Sequence, residues 1–440
     1  MTDGVNTREL VLEILVEVIE KGSYSHLLLR DVLNKYQYLS KQERAFITRM
    51  TEGSLERLIE LDYVIDQFSK TKVKKQKPII RNILRMSVYQ LLYMDNVPDS
   101  AVCNEAVKMA KRHKFHQLSG FVNGVLRNIA RNKSGIVYPD EKTNPVDYLV
   151  VKYSMPQWIV DKWIADYGYD KTKDILAAFY KDTMLSIRTN TSLCTPKELM
   201  ERLEAEGVTV EQVKTGTRVD EYAFYISGFD YLEGLDSFRE GLFYVQDVSS
   251  MMVAEAADVK EDDYVIDVCA APGGKSTHIA QMLCGSGMVD ARDLTEYKVE
   301  LIDSNIARSG LKNIVAKVWD ATVPDEESVN KADILICDLP CSGLGVLGKK
   351  TDIRYKIKQE SIEELTKLQH KILDTVHTYV KEGGILVYST CTINKTENED
   401  TVKWFVEKYP KFKLLSMEQM FPGEVGNDGF FLAKFQYIGV

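Results

Sequence analysis

The chain has 440 residues, 45% hydrophobic and 28% charged, an ordinary globular composition long enough for two or three domains with their own cores. No apolar run reaches the roughly 18 residues of a membrane span. The N-terminal MTDGVNTREL also lacks the charged-then-apolar order of a signal peptide, so a cytoplasmic protein is expected. Seven cysteines without CxxC spacing or a His-rich cluster argue against a disulfide framework and against a metal site.

The net charge of −9 averages over a strong asymmetry, because Lys70 to Pro145 carries +10 while the flanking segments are acidic. A basic segment inside an acidic chain is the electrostatic footprint of a nucleic-acid-binding face. Up to about residue 140 the apolar spacing is helical, as in Leu10, Ile14, Val18 and Ile80, Leu84, Val88, Leu92, so residues 1–140 are expected to form an all-α domain. Ser40 with Glu43 makes a capping box, and Pro98 marks a helix start. The turn-rich stretch NKSGIVYPDEKTNP then reads as a linker. Residues 146–238 follow as a small α+β module: a strand LSIRTN, a helix announced by Thr195, Pro196 and Glu198 and ended by Gly207, then strands VTVEQVK and YAFYISG. A β-α-β-β order of this kind suits an RRM-like or ferredoxin-like fold. No aromatic RNA-stacking signature is visible in it.

Residues 239–440 alternate strands and helices: YVIDV, MVDARDL, IVAKVWD, DILICDL, ILVYST, with FFLAKF near the end as an antiparallel addition. This predicts a Rossmann-like α/β domain with a mostly parallel sheet. In such a sheet ligands bind at the carboxyl ends of the strands. Three segments converge there. YVIDVCAAPGGKSTHIA is a strand, a glycine-bearing turn and a helix, able to admit a nucleotide-like cofactor at Gly273 and Gly274. It is not a P-loop, since Cys269 stands where the first glycine belongs, and GxGxxG is absent. Asp293, at the end of the next strand, is placed to bond ribose hydroxyls. Cys341 in DLPCSG and Cys391 in YSTCT each close an apolar strand, and two thiols at one crevice suggest covalent chemistry. Cys103, Cys194, Cys284 and Cys337 read as small buried hydrophobes. His278 reads as a packing or capping residue.

Two resemblances extend this reading. PIIRNILRMSVYQLLYMDNVPDSAVCNEAVKMAKRH with GFVNGVLRNIAR resembles the NusB family of RNA-binding helical domains, which would make Arg81, Arg85, Lys108, Lys111, Arg112 and Arg127 phosphate contacts. VCAAPGGKSTH, DLPCSG, YSTCT and NDGFFLAKF together resemble the RNA cytosine-C5 methyltransferases that use S-adenosylmethionine. With a NusB-like domain in front, the chain resembles the RsmB (Sun/Fmu) family, which forms 5-methylcytosine in 16S rRNA at cytosine 967 of the reference rRNA. The resemblance implies that Cys269, Ala270, Ala271, Pro272, Gly273, Gly274 and Lys275 line the cofactor, with Asp293 on its ribose, Asp320 by its adenine and Asp338 completing the site. It assigns the nucleophile to Cys391 and an assisting role to Cys341; spacing alone leaves that choice open. Lys275 is a candidate for lowering the pKa of the attacking thiol, and Asp338 for bonding the activated ring. Leu339 departs from the family's usual alanine before Pro-Cys. The basic loop GLGVLGKKTDIRYK departs from its arginine-rich pattern. The expected partner is small-subunit rRNA and the expected state a monomer. The alternatives are the same chemistry on tRNA or 23S rRNA, and a non-catalytic RNA-binding or antitermination factor.

Overall fold

The computed structural model describes residues 5–181 and 184–439. It divides into two compact units: the chain up to Ala177 together with Leu347–Lys356, and Ala178–Val346 together with Ile357–Val440.

The first unit is helical. Helices Thr7–Lys21, Lys41–Glu56, Leu58–Phe68, Pro78–Tyr93, Asp99–Arg112 and Ser119–Arg131 turn apolar stripes onto one core, where Leu12, Leu15, Ile47, Val64, Leu84 and Leu126 have no exposed surface. The Ser40–Glu43 capping box forms, and Pro98 is the N-cap of Asp99–Arg112. Charge is less available than the sequence suggests. Arg85 is buried against Asp62, with Nε and Nη2 donating to its two oxygens at 2.7 Å each, and Arg81 pairs with Glu20. These two arginines therefore stabilise helix packing, which corrects their expected place among the phosphate contacts. Lys108 and Arg112 are exposed but pair with Glu105 and Glu9. Lys111, Arg127 and the run Lys70, Lys74, Lys75, Lys77 are exposed.

Three further helices, Pro145–Lys152, Gln157–Tyr167 and Tyr169–Ala178, follow where the sequence reading proceeds directly to a strand. Their signals are present: Pro145 starts one, Gly168 ends the next, and Ile159, Val160 and Trp163 make its buried stripe. The segment Leu347–Lys356 also belongs to this unit. Asp352, 1% exposed, accepts bonds from the Ser25 amide and hydroxyl and from Lys356, while buried Arg354 donates to the Leu347 carbonyl at 2.9 Å. Half of that basic loop is thus internal wiring.

The second unit holds two sheets. The smaller is antiparallel, with strands β1 (Leu185–Thr189), β2 (Thr209–Gln212), β3 (Ala223–Ser227) and β4 (Phe243–Val245) in the order β2-β3-β1-β4. Its helix Pro196–Ala205 starts at the Thr195–Glu198 capping box, and Leu199 and Leu203 pack against Ile187 and Phe224 of the sheet. The larger sheet comprises β5 (Tyr264–Asp267), β6 (Met288–Asp293), β7 (Ile314–Val318), β8 (Ala332–Asp338), β9 (Val380–Thr390), β10 (Phe412–Met420) and β11 (Phe430–Tyr437), ordered β10-β11-β9-β8-β5-β6-β7. Strands β5 to β9 run parallel; β11 is antiparallel to β9 and β10 to β11. The chain goes outward from β5 through β6 to β7, then returns to the other side of β5 with β8. The topological switch point therefore lies between β5 and β8, where an open α/β sheet leaves a crevice at the strands' carboxyl ends.

Among the described residues, no helix is long and apolar enough to cross a membrane.

Candidate active site

Parallel pairing sets which side chains meet. Because β5, β6, β8 and β9 are neighbours, their last residues Asp267, Asp293, Asp338 and Thr390 finish on one edge, and the turns after them carry Cys269, Cys341 and Cys391. Register places Asp338 directly across from Ser389.

The turn after β5 is held from three sides. The Ala270 amide donates to the Arg292 carbonyl of β6 at 2.8 Å, the Ala271 amide to Asp293 Oδ2 at 3.0 Å, and Asn305 Nδ2 to the Pro272 carbonyl at 2.9 Å. Gly273 then takes φ +101°, in the left-handed region a side chain would strain. It is also the N-cap of helix Gly274–Met282 and supplies no capping side chain, so the first-turn amides remain available to an acceptor.

Lys275, from the first turn of that helix, reaches across the switch point. Its Nζ lies 2.6 Å from Asp338 Oδ2, while Asp338 Oδ1 accepts from Ser389 Oγ at 2.8 Å. Burial pulls the Lys275 pKa down, but Asp338 outweighs it, with Asp267 and Cys391 adding to the net rise. The ammonium thus sits in the field of Cys391.

The two thiols converge, with Cys341 Sγ and Cys391 Sγ 3.4 Å apart and both half-buried. The Cys391 contact and burial push Cys341 well above the usual thiol range, and Glu397 adds to this. Lys275 therefore interacts with Cys391, and Glu397 with Cys341. Close backbone packing fixes the pair, since the Gly345 amide donates to the Cys391 carbonyl at 3.1 Å. A Cβ on Gly345 would stand 1.9 Å from the Gly429 carbonyl oxygen, so only glycine permits this approach.

Asp293 is buried, accepts the Leu294 amide at 2.7 Å as well as that of Ala271, and pairs with Lys298 at 2.9 Å. A carboxylate offers about four lone-pair sites, so capacity for a hydroxyl remains. Asp320, just beyond β7, is half-buried and held below the usual range by the Thr322 amide, which donates at 2.8 Å. Cys269 is half-buried and its thiol is raised by burial.

Two site residues escaped the sequence reading. Asp267, at the end of β5, accepts from Ser276 Oγ at 2.6 Å and is pushed up to about 7, chiefly by burial. Its position at the end of an apolar strand beside the glycine turn was the available signal. Glu397, fully buried, accepts the Ser342 amide next to Cys341 at 2.8 Å. Nothing in the spacing of TENE marks it.

The other residues divide clearly. His278 is buried edge-on against Tyr222 with centroids 5.3 Å apart, a packing residue. Leu339 lies in the core. Cys103 and Cys337 are buried, whereas Cys284 is exposed and Cys194 only half-buried. The expectation of burial fails at Cys284 because it ends a helix at φ +50° in a solvent-facing turn.

The donor set suits a nucleoside-bearing amino acid: uncapped helix amides for its carboxylate, and carboxylates at two strand ends for an ammonium or a ribose diol.

Comparison with known proteins bears on these features. Residues 254–436 match the family described as 16S rRNA methyltransferase RsmB/F, residues 5–131 the NusB family, and residues 155–220 a ferredoxin-like domain of RsmF/B-like methyltransferases. The probable ribosomal RNA small subunit methyltransferase B of Bacillus subtilis (strain 168) is 36% identical, over 99% of both chains. The corresponding protein of Synechocystis sp. (strain ATCC 27184 / PCC 6803 / Kazusa) is 32% identical, over 93% of this chain and 91% of that one. The solved structure of PH0851 superposes with a TM-score of 0.82 at 25% identity, covering 98% of this chain and 99% of the other.

Proposed function

The chain belongs to the ribosomal RNA small subunit methyltransferase B family, and from that premise we propose that it forms 5-methylcytosine in 16S rRNA, at cytosine 967 of the reference rRNA. The observation that carries this reading is the pair of thiols 3.4 Å apart, beside a lysine–aspartate pair at the sheet's switch point.

Cytosine C5 is a poor nucleophile. A thiolate adding at C6 breaks the ring's conjugation and makes C5 enamine-like. Cys391 takes this role, as the family resemblance assigns it, with the Lys275 ammonium among the charges near it, and the contact with Cys391 and burial raise the Cys341 thiol well above its usual range. Asp338, fixed by Lys275 and Ser389, is available to bond the ring's N3 edge and exocyclic amine and so stabilise the adduct. S-adenosylmethionine, when bound, supplies the electrophilic methyl group. Cys269 to Lys275 line its site, with Asp293, Asp320 and Asp338. Loss of the C5 proton and of the Cys391 sulfur then restores the aromatic ring, and Cys341 assists that release. The base must leave its stack to reach the thiols, which favours an unpaired or flipped cytosine.

In this reading residues 1–140 dock RNA, 146–238 form the intermediate module and 239–440 carry the chemistry. Bisulfite sequencing of total RNA from cells with and without the protein tests it: one small-subunit rRNA cytosine should lose protection when the protein is absent. Loss of protection in tRNA or 23S rRNA instead would assign the same chemistry to another substrate, and no change anywhere would favour a non-catalytic role.

A further inference from the structure

The two reactive loops arise from different strands, 50 residues apart in sequence, yet their sulfurs meet at 3.4 Å. A buried polar cluster joins the loops directly behind the thiols. Glu397, 0% exposed, accepts the Ser342 amide at 2.8 Å and Gln369 Nε2 at 3.2 Å on one oxygen, and Asn394 Nδ2 at 2.7 Å and the Ser342 hydroxyl on the other. The Ser342 hydroxyl also meets Thr392 Oγ1 at 2.7 Å, and Thr392 Oγ1 accepts the Leu344 amide at 3.2 Å. Ser342 follows Cys341 and Thr392 follows Cys391, so one carboxylate ties together the residues adjacent to both thiols.

Among the described residues, the groups that donate hydrogen bonds to the Glu397 carboxylate are all neutral. Burying a carboxylate without a cation is costly; four hydrogen bonds offset part of that cost, and burial still holds Glu397 above the ordinary carboxylate range. A carboxamide cannot replace it, since one acceptor would become a donor facing donors. The partner amides are not free to flip, because Asn394 Oδ1 accepts the Thr396 amide at 3.2 Å and Gln369 Oε1 accepts the Tyr388 hydroxyl at 3.3 Å.

We propose that Glu397 is a positioning residue that holds the Cys341 and Cys391 loops in the register that brings their sulfurs together. It acts through Ser342 and Thr392 and touches neither RNA nor cofactor. The catalytic part of this inference rests on the methyltransferase reading; the geometric part stands without it.

The test uses the full chain with Glu397→Gln, and its first measurement needs no RNA. Diamide takes two electrons and two protons from adjacent thiols, leaving a disulfide and the corresponding hydrazine. Peptide mapping after alkylation then gives the rate at which Cys341 and Cys391 join. Wild type should cross-link readily and Glu397→Gln at least tenfold more slowly, with its thermal midpoint showing a folded chain. In the second measurement, methyl transfer at saturating RNA should fall at least tenfold while the KM for S-adenosylmethionine stays within twofold. If Glu397→Gln does not fold, Thr392→Val carries the same two measurements, and Glu397→Asp, which keeps a carboxylate at this position, should retain more of the rate than Glu397→Gln. A folded variant that cross-links at the wild-type rate overturns the proposal, as does one that retains wild-type turnover. Absence of cytosine methylation by the wild type would sink the methyltransferase reading alone, leaving the cross-linking result to decide on Glu397.

Discussion

Cys391 and Cys341 are chemically the same group on the turns after two different strands, and substitution should separate them. Cys391→Ala should abolish methyl transfer while S-adenosylmethionine binding stays nearly intact, because the thiolate acts on the RNA; retained turnover of the purified variant would remove Cys391 from the chemistry. Cys341→Ala should instead accumulate a protein–RNA adduct that survives denaturing electrophoresis. Normal turnover without adduct would reduce Cys341 to a packing residue. Asp267 gives a pH test. Burial raises its pKa to about 7 from an ordinary 3.8, so the folded chain binds this proton more tightly than the unfolded chain does. The associated stability is full below 3.8 and is lost as pH rises through about 7. The urea midpoint of Asp267→Asn should therefore gain on wild type across that window and level off above it, and a difference independent of pH would refute the shift. The cysteines were legible because DLPCSG and YSTCT close strands. Glu397 was not, because its importance comes from burial and from a partner 55 residues away, and Asp267, although it closes β5, shows nothing in the sequence of how deeply the fold buries it.

Between elements, the small antiparallel sheet grips the cofactor-turn helix through Arg188 of β1. This guanidinium is fully buried and stacks 4.2 Å over the Tyr244 ring. It donates to Gln246 Oε1 at 2.7 Å, Thr277 Oγ1 at 3.2 Å and Gln281 Oε1. Burial among neutral acceptors pushes its pKa down to about 10. Arg188→Met should cost about 1–3 kcal/mol of stability by orphaning those oxygens, read from denaturant titration, and should weaken S-adenosylmethionine binding by loosening helix Gly274–Met282. Unchanged affinity in calorimetry would limit Arg188 to a structural brace. The strands β5 to β9 could be read from their apolar runs, and the capping boxes at Ser40 and Thr195 formed where their spacing put them. β10 could not. FKLLSMEQM is an edge strand, mostly exposed and lacking clean alternation, and its pairing with β11 supplies what the local pattern lacks.

For the whole molecule, net charge was a better guide than individual charges. The +10 of residues 70–145 survives in the fold as exposed lysines, but Arg81 and Arg85 are spent on Glu20 and Asp62. The docking test therefore shifts to Lys70, Lys74, Lys75 and Lys77, all exposed. Replacing these four by alanine should raise the KM for RNA, leave the rate at saturating RNA little changed, and flatten the salt dependence of affinity by about 0.7–0.9 for each phosphate no longer neutralised. Wild-type salt dependence would move the docking surface elsewhere.

The helical unit contains a segment that the ribosome makes long after the rest of it. Ser25 and Tyr153 are synthesised early, whereas Asp352 and Arg354, which they bond, emerge only after residues 178–346 have been made. At about 5–20 residues per second that interval is on the order of 10–30 s. During it the nascent helical unit lacks Leu347–Lys356, and it reaches its final form only after the turn bearing Cys341 has been synthesised. A chain stopped before residue 347 would therefore leave the Asp352 site beside Ser25 unfilled, so completion of the helical unit reports that the DLPCSG turn has been made.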